Sequence, residues 1–405
     1  MTDAAQPTSS GLAARPGRYR WVICSLLFAA TAINYIDRQT ISLLKGDLTR
    51  EFGWTELTYG DIVFWFQAAY AVGYFAFGAL IDRVGARLGY ALAVVIWTLG
   101  HMGHGLVSTV AGFTAMRWGL GVGEAGNFPA GVKAVTEWFP KRERALAIGI
   151  FNAGSNIGAI VAPLLVPAVT LVWGWRAAFF VTGLIGVVWL VAWLAVYRRP
   201  QEHRRVTAAE LAFIEQDPAD TGAKVGWFSL FGKRETWAYS LGKFLIDPIW
   251  WMWLFWLPDF LNKRHGLDLK TYGPPLVVMY LISDVGSIFG GWLSSSFLKA
   301  GRSLNFARKA AMFICALLVL PVAFAAYADS LWVAVGVIGV AMAAHQGFSA
   351  NLYALPSDVF PRKATASVVG IGGTIGAIGG MVMAKYVSKI LAQLHVYTPI
   401  FIIAA

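Results

Sequence analysis

Apolar stretches long enough to cross a bilayer recur eleven times along this chain, at 20–44, 58–81, 88–109, 113–137, 145–172, 176–197, 236–262, 274–298, 308–327, 330–355 and 364–392. A helix needs about 20 mostly apolar residues to cross the hydrocarbon, and each stretch meets that length. Hydrophobic residues make up 57% of the sequence and charged ones 14%. That balance lies far from the roughly 25% charged residues of an average soluble domain, so the expected fold is an all-α, multi-pass membrane protein. Eighteen Trp, 43 Gly and 16 Pro suit the aromatic anchoring and the Gly and Pro tolerance of membrane helices. A twelfth apolar stretch begins at Tyr397, but Tyr397 to Ala405 makes only about 13 Å of helix. The twelfth helix is therefore expected to be truncated in this chain.

Orientation follows from where Lys and Arg fall, because cytoplasmic loops carry the excess. With the N-terminus inside, 21 of the 33 basic residues lie on inside segments and eight on outside ones, so the N-terminus is expected in the cytoplasm. The net charge of +11 thus comes from loops and not from one basic face of a soluble domain. That excludes a nucleic-acid partner and leaves the lipid bilayer. Met1 to Tyr19 is polar and has no short apolar core followed by a small-residue cleavage site, so the first span is expected to be retained. Cys24 and Cys315 lie far apart in apolar runs and suggest neither a disulfide framework nor a metal cluster. No cofactor is expected.

One long hydrophilic segment, 198–235, divides the chain. The expected organisation is an N-terminal six-helix bundle at 1–197, a cytoplasmic linker, and a C-terminal bundle at 236–405 with five full spans and the start of a sixth. A weak repeat agrees: Phe139-Pro140-Lys141 is followed ten residues on by Gly149, and Phe360-Pro361-Arg362 likewise by Gly370. Chance likeness between Gly-rich spans is the alternative. As a true repeat it implies two bundles related by a pseudo-two-fold axis along the membrane normal, with a site at the midplane. Between spans two and three runs G-A-L-I-D-R-V-G-A-R-L-G, Gly78 to Gly89. Its glycines permit a tight turn, and Asp82, Arg83 and Arg87 can pair with helix ends and neighbouring loops.

Chemistry concentrates in N-Y-I-D-R, Asn34 to Arg38, inside the first span. A charge at bilayer depth costs at least about 2.5 kcal/mol, so adjacent charges there mark a functional site by default. Helical spacing puts Asn34, Asp37 and Arg38 on one face, with Tyr35 beside it. Span four carries Arg117 and Glu124, seven residues apart and on one face. Because spans one and four run in opposite directions, Arg38 and Arg117 come to similar depth, with Glu124 nearer the midplane. Two guanidinium forks at one level suit a carboxylate, and the nearby acids Asp37 and Glu124 can take protons. The plainer alternative is that the acids only neutralise the arginines as buried ion pairs.

Other spans offer polar faces. Gln67, Tyr70 and Tyr74 line one face of span two, and Asn152, Ser155 and Asn156 one face of span five. Singly, each suits an ordinary interhelical hydrogen bond; together they suit a polyhydroxylated solute. In span seven, Lys243 and Asp247 share a face that continues to Trp250 and Trp251, which makes these indoles better cavity walls than Trp253 or Trp256, with interfacial anchoring as the alternative. His345 in A-H-Q-G-F-S-A-N-L is either a neutral core histidine or a pH-sensitive group. His101 and His104 read most simply as interfacial. Gly372, Gly376 and Gly380 favour close helix approach in span eleven.

The loop after span two, the span count and the six-plus-six division together resemble the major facilitator superfamily. N-Y-I-D-R, R-W-G-L-G-V-G-E-A-G-N-F-P-A, E-W-F-P-K-R-E-R-A and S-D-V-F-P-R resemble its anion:cation symporter family, and L-I-D-P-I-W-W with H-Q-G-F-S-A-N-L resembles the bacterial hexuronate branch. That resemblance implies a proton-coupled symporter in the bacterial cytoplasmic membrane, importing a sugar-acid monoanion such as galacturonate or glucuronate by alternating access. It implies substrate contacts at Tyr35, Arg38, Tyr70 and Arg117 and coupling protons on Asp37 and Glu124; Ser155, Asn156, Trp251 and Asn351 are further candidate contacts, and the chain is expected to act as a monomer. An aldonate carrier of the same fold and a membrane sensor that binds an anion without moving it remain the alternatives. No nucleophile-base pair, metal cluster or phosphate loop points to an enzyme.

Overall fold

Helices are the only regular elements among the residues that the computed structural model describes, 17–217, 227–360 and 362–405. Arg15, Lys224 and Pro361 lie outside the described residues, as do the side chains of Asp82, Lys141, Ser357, Arg362 and Lys363. The first span is α1 (Tyr19–Leu43), followed by the short α2 (Lys45–Phe52). Spans two and three form α3 (Glu56–Gly103), turned back on itself at Gly85, whose φ of 82° and ψ of 168° suit only a residue without a Cβ.

The fourth span departs from the continuous helix expected over 113–137. It is two helices, α4 (Val110–Glu124) and α5 (Asn127–Trp138), broken directly after Glu124. Pro129 has no N–H to donate back to Ala125, and the Gly126 N–H makes a tighter bond to Gly123 O at 3.0 Å. There follow α6 (Lys141–Trp173) and α7 (Trp175–Val196), and then the linker helices α8 (Ala208–Ile214) and α9 (Trp227–Phe231). The later spans are α10 (Arg234–His265), α11 (Gly273–Lys299), α12 (Leu304–Val319) with a 3₁₀ extension over Leu320–Tyr327, α13 (Leu331–Val359) and α14 (Arg362–Leu394). The seven-residue α15 (Thr398–Ala404) ends the chain.

Nine segments among the described residues are long and apolar enough to cross a bilayer. The other two of the eleven expected spans are the broken fourth and α10, which carries Lys243, Asp247 and Asp259. Outward stripes such as Leu184, Val188 and Val191 on α7, or Leu281, Val285 and Ile288 on α11, are exposed apolar residues at helical spacing. Hydrocarbon is their natural surround.

The first six spans meet the later ones at the end marked by Lys45. Lys45 Nζ lies 2.8 Å from both Glu56 Oε2 and Asp259 Oδ1, Lys263 Nζ lies 2.9 Å from Asp259 Oδ2, and Lys263 also bonds Glu56. Tyr59 donates to Phe255 O at 2.9 Å, Gln39 to Tyr280 Oη at 3.1 Å, and Tyr272 to Leu43 O. At the Arg20 end, the bonds among the described residues stay on one side: Arg20 pairs with Glu143 at 2.8 Å and with Glu210 of the linker at 3.3 Å, and Arg308 with Asp358 at 2.9 Å. Among the described residues, the cleft between the halves is thus bridged by side-chain bonds at the Lys45 end, its closed end, and not at the Arg20 end.

Candidate functional site

Arg38 stands at the closed end of this cleft. Its Nε donates to Glu124 Oε2 at 2.7 Å and its Nη2 to Asn34 Oδ1, one turn back, at 2.9 Å. Neither bond uses Nη1, and Arg38 as a whole is 2% exposed. Aromatic rings surround the guanidinium, with Tyr35 at 4.6 Å, Tyr70 at 5.1 Å and Trp251 at 4.8 Å from its carbon. Tyr35 and Tyr70 come from the first half and Trp251 from the second, so both halves close on one cation.

Arg117 joins this group differently from the expected paired forks. The two arginines do meet, but Arg117 Nη2 donates to the backbone oxygen of Arg38 at 2.8 Å, and its side chain is fully enclosed between Phe66 and Phe255. Its Nε and Nη1 are buried with no hydrogen-bond partner among the described residues. Of the two arginines, Arg38 keeps a 2% exposure and Arg117 none, because α4 turns Arg117 toward α1 and α3.

Asp37 forms no salt bridge to either arginine among the described residues. It is fully buried, and its ionisable neighbour is His101, with Oδ1 3.2 Å from Nε2. His101 Nε2 also lies 2.6 Å from Thr182 Oγ1, which in turn lies 2.8 Å from Ala178 O. With the Thr182 hydrogen on Ala178 O, the imidazole donates to Thr182 through Nε2; with it on His101, the other tautomer forms. His104 is equally buried, bonded to Gly100 O at 2.7 Å and stacked on Phe179. The interfacial reading of these two histidines is overturned: α7 packs over that face of α3 and removes it from the surface.

The second half presents a polar face along α10. Trp250 and Trp251 are half-buried, whereas Trp253 and Trp256 are packed inside the protein, as the position of the charged face implied. Trp250 stacks on His345, whose Nε2 donates to Ile246 O at 2.9 Å, the bond of a neutral core histidine. On α6, Ser155 Oγ donates to Asn152 O at 2.7 Å and lies 3.3 Å from Asn156 Oδ1. Asn351 does not join the Arg38 group. Its amide donates to Gly290 O at 2.9 Å and Gly347 O at 3.0 Å and accepts from Arg308 Nη1 at 3.2 Å, so it ties α11, α12 and α13 together.

A family model described as Major Facilitator Superfamily matches residues 5–384. The chain belongs to the major facilitator superfamily. Among this facilitator's relatives, the Hexuronate transporter of Escherichia coli (strain K12) is 31% identical over 392 residues, covering 95% of this chain and 90% of the relative. The Probable L-galactonate transporter of the same strain is 33% identical over 369 residues, covering 89% and 80%. The crystal structure of a bacterial homolog to the human lysosomal transporter Spinster, inward-facing and unoccupied, is similar in fold. Its TM-score is 0.76 at 21% identity, over 92% of this chain and 82% of that one. Fold and relatives are those of transporters, not enzymes.

In this facilitator the loop after span two works as a helix-end clasp. Arg87 Nη2 donates to Leu194 O at 2.6 Å, in the last turn of α7, and Trp193 Nε1 returns a bond to Arg87 O at 3.0 Å. Arg83 is exposed. Sequence reasoning placed His101 at the interface and missed Thr182, because their partner Asp37 lies on another helix and neither carries a periodic signal. It also missed Tyr353, two positions beyond Asn351. At about 100° per residue the two point nearly opposite ways, and it is Tyr353 that meets Lys243.

Proposed function

We propose that this facilitator is a proton-coupled symporter that imports a sugar-acid monoanion, a hexuronate such as galacturonate or glucuronate, across the bacterial cytoplasmic membrane. The observation that carries the reading is Arg38, a cation with one guanidinium edge on Glu124 and aromatic walls from both halves of the chain. A guanidinium so placed takes a carboxylate, and the tyrosines and Trp251 offer hydroxyls and an apolar face to a sugar. The hexuronate transporter that matches 95% of the chain supports that choice of substrate. The L-galactonate relative favours an aldonate as second reading.

Glu124 is the coupling acid, because a proton on it removes the negative charge that competes with substrate for Arg38. Asp37, with His101 against it, is the second proton site. Arg117 comes into contact with substrate when the halves rock, and its two unpaired donors are what it offers. Ser155 and Asn156 contribute to the hydroxyl wall. The rocking bodies are 1–197 and 236–405, joined by the linker. With the N-terminus inside, closure at the Lys45 end makes the conformation inward-open, and Asp82, Arg83 and Arg87 lie at the cytoplasmic hinge. The chain acts as a monomer.

Uptake of labelled galacturonate into proteoliposomes under an imposed pH gradient tests this. Accumulation that collapses when the gradient is dissipated is expected. Binding without accumulation would make the protein a sensor, and accumulation of galactonate alone would move the substrate to aldonates.

A further inference from the structure

An ion pair in the seventh span has no part in the reading above. Lys243 is buried, its Nζ lies 2.6 Å from Asp247 Oδ1, and it also bonds the hydroxyl of Tyr353. A buried pair is a poor stabiliser and, at membrane depth, a functional site by default. The packing makes room for it. A Cβ at Gly376 would collide with Asp247 Oδ2, and one at Gly372 would collide with Tyr239 and crowd Lys243 Cγ. Tyr353 is half exposed, and a Cβ on Gly373, next to Gly372, would touch Tyr74, whose ring stands 5.7 Å from that of Tyr70 beside Arg38. The pair therefore faces the same seam between the halves as Arg38.

Helix α10 sets the distance between the two. Trp251, against Arg38, lies four residues beyond Asp247, or about 6 Å along the axis, and Lys243 Nζ reaches up to that carboxylate. The pair is thus about one helical turn from the ring that walls Arg38, a separation that the carbon chain of a sugar bridges. The pair is also neutral as a unit. Lys243 donates and Asp247 accepts, which suits a hydroxyl that does both, whereas a second carboxylate would meet the charge of Asp247.

We propose that Lys243, Asp247 and Tyr353 form a subsite for the hydroxyl end of a six-carbon sugar monoanion held by its carboxylate on Arg38, and that Asp247 excludes diacids. This rests on the sugar-acid reading above. It makes the cleft a ruler with a cation at one end and a neutral hydroxyl reader at the other.

Binding of galacturonate, the diacid galactarate and the short acid lactate to the purified full chain, followed by tryptophan fluorescence, tests the proposal. The unsubstituted chain is expected to prefer galacturonate to galactarate by at least about tenfold, and Asp247→Asn, which leaves the ammonium unneutralised, to shift that ratio toward galactarate by about tenfold or more. Removing both charges as Lys243→Met with Asp247→Leu should weaken galacturonate roughly 10- to 150-fold and leave lactate unchanged. If that double variant does not fold, Tyr353→Phe carries the same test, with a loss of about fivefold for galacturonate and none for lactate. An unaltered ratio in Asp247→Asn, or equal losses for galacturonate and lactate, would overturn the inference alone. Failure of the unsubstituted chain to bind any sugar acid would overturn the function reading and the inference with it.

Discussion

Glu124→Gln separates transport coupling from structure, and the geometry supplies the size of the effect. Glu124 is fully buried, with Oε2 on Arg38 Nε at 2.7 Å and Oε1 unpartnered among the described residues. A substrate carboxylate on the neighbouring edge of the same guanidinium would sit about 6 to 7 Å from that of Glu124. At an effective dielectric of about 20, the two negative charges repel by about 2.5 kcal/mol, equivalent to roughly 70-fold in affinity. A proton on Glu124 removes that repulsion, which is how proton and anion come to bind together. Glutamine imitates the protonated acid and can still accept the Arg38 bond, so Glu124→Gln should bind galacturonate at least as tightly as wild type at low pH. Wild-type affinity should fall as pH rises through the titration of Glu124, while the mutant stays flat. Counterflow, which needs no net proton release, should continue in the mutant, and accumulation driven by a pH gradient should vanish. Both assays use the same proteoliposomes, and retained accumulation in Glu124→Gln would refute the reasoning.

Arg38→Ala should weaken galacturonate by about 1.5 to 3 kcal/mol, or roughly 10- to 150-fold, in equilibrium binding, since it removes a charge-assisted bond; wild-type affinity would place the anion elsewhere. Arg117→Lys keeps the charge but not the planar group that fills the slot between Phe66 and Phe255 and holds Arg38 O, so it should also bind poorly, by the same measurement. Glu56→Gln should loosen the charge network at the closed end. Ser388 is buried against Gly60 there, so a Ser388→Cys thiol should label with an external reagent only when Glu56→Gln is also present. Gly85→Ala should cost about 1 to 3 kcal/mol from its positive φ, read as a lower thermal unfolding midpoint of the purified protein.

For nine of the eleven expected spans, expected and observed limits agree to within a few residues, because length and apolar content are properties of a single segment, and a bilayer reads them one segment at a time. The same holds for the charged face of α10: Trp251 falls on the side of Lys243 and Asp247 and stands half-buried 4.8 Å from the Arg38 guanidinium carbon, because helical spacing alone places it. The turn at Gly85 was equally local. Where the reading depended on which helix stands opposite, it went astray. Asn351 and Tyr353 lie two residues apart, and only the rotation of α13 against α10 and α11 decided that the first is packing and the second meets Lys243. Asp37 and Arg38 are neighbours in sequence, yet α3 and α7 claim one and α4 the other. The sequence by itself determined that the chain crosses a membrane many times and which segments carry buried charge. The tertiary structure decided the partners of those charges, because in hydrocarbon a buried charge can pair only with a donor or acceptor that a neighbouring helix brings within about 3 Å, and that is set by the packing of all the helices together.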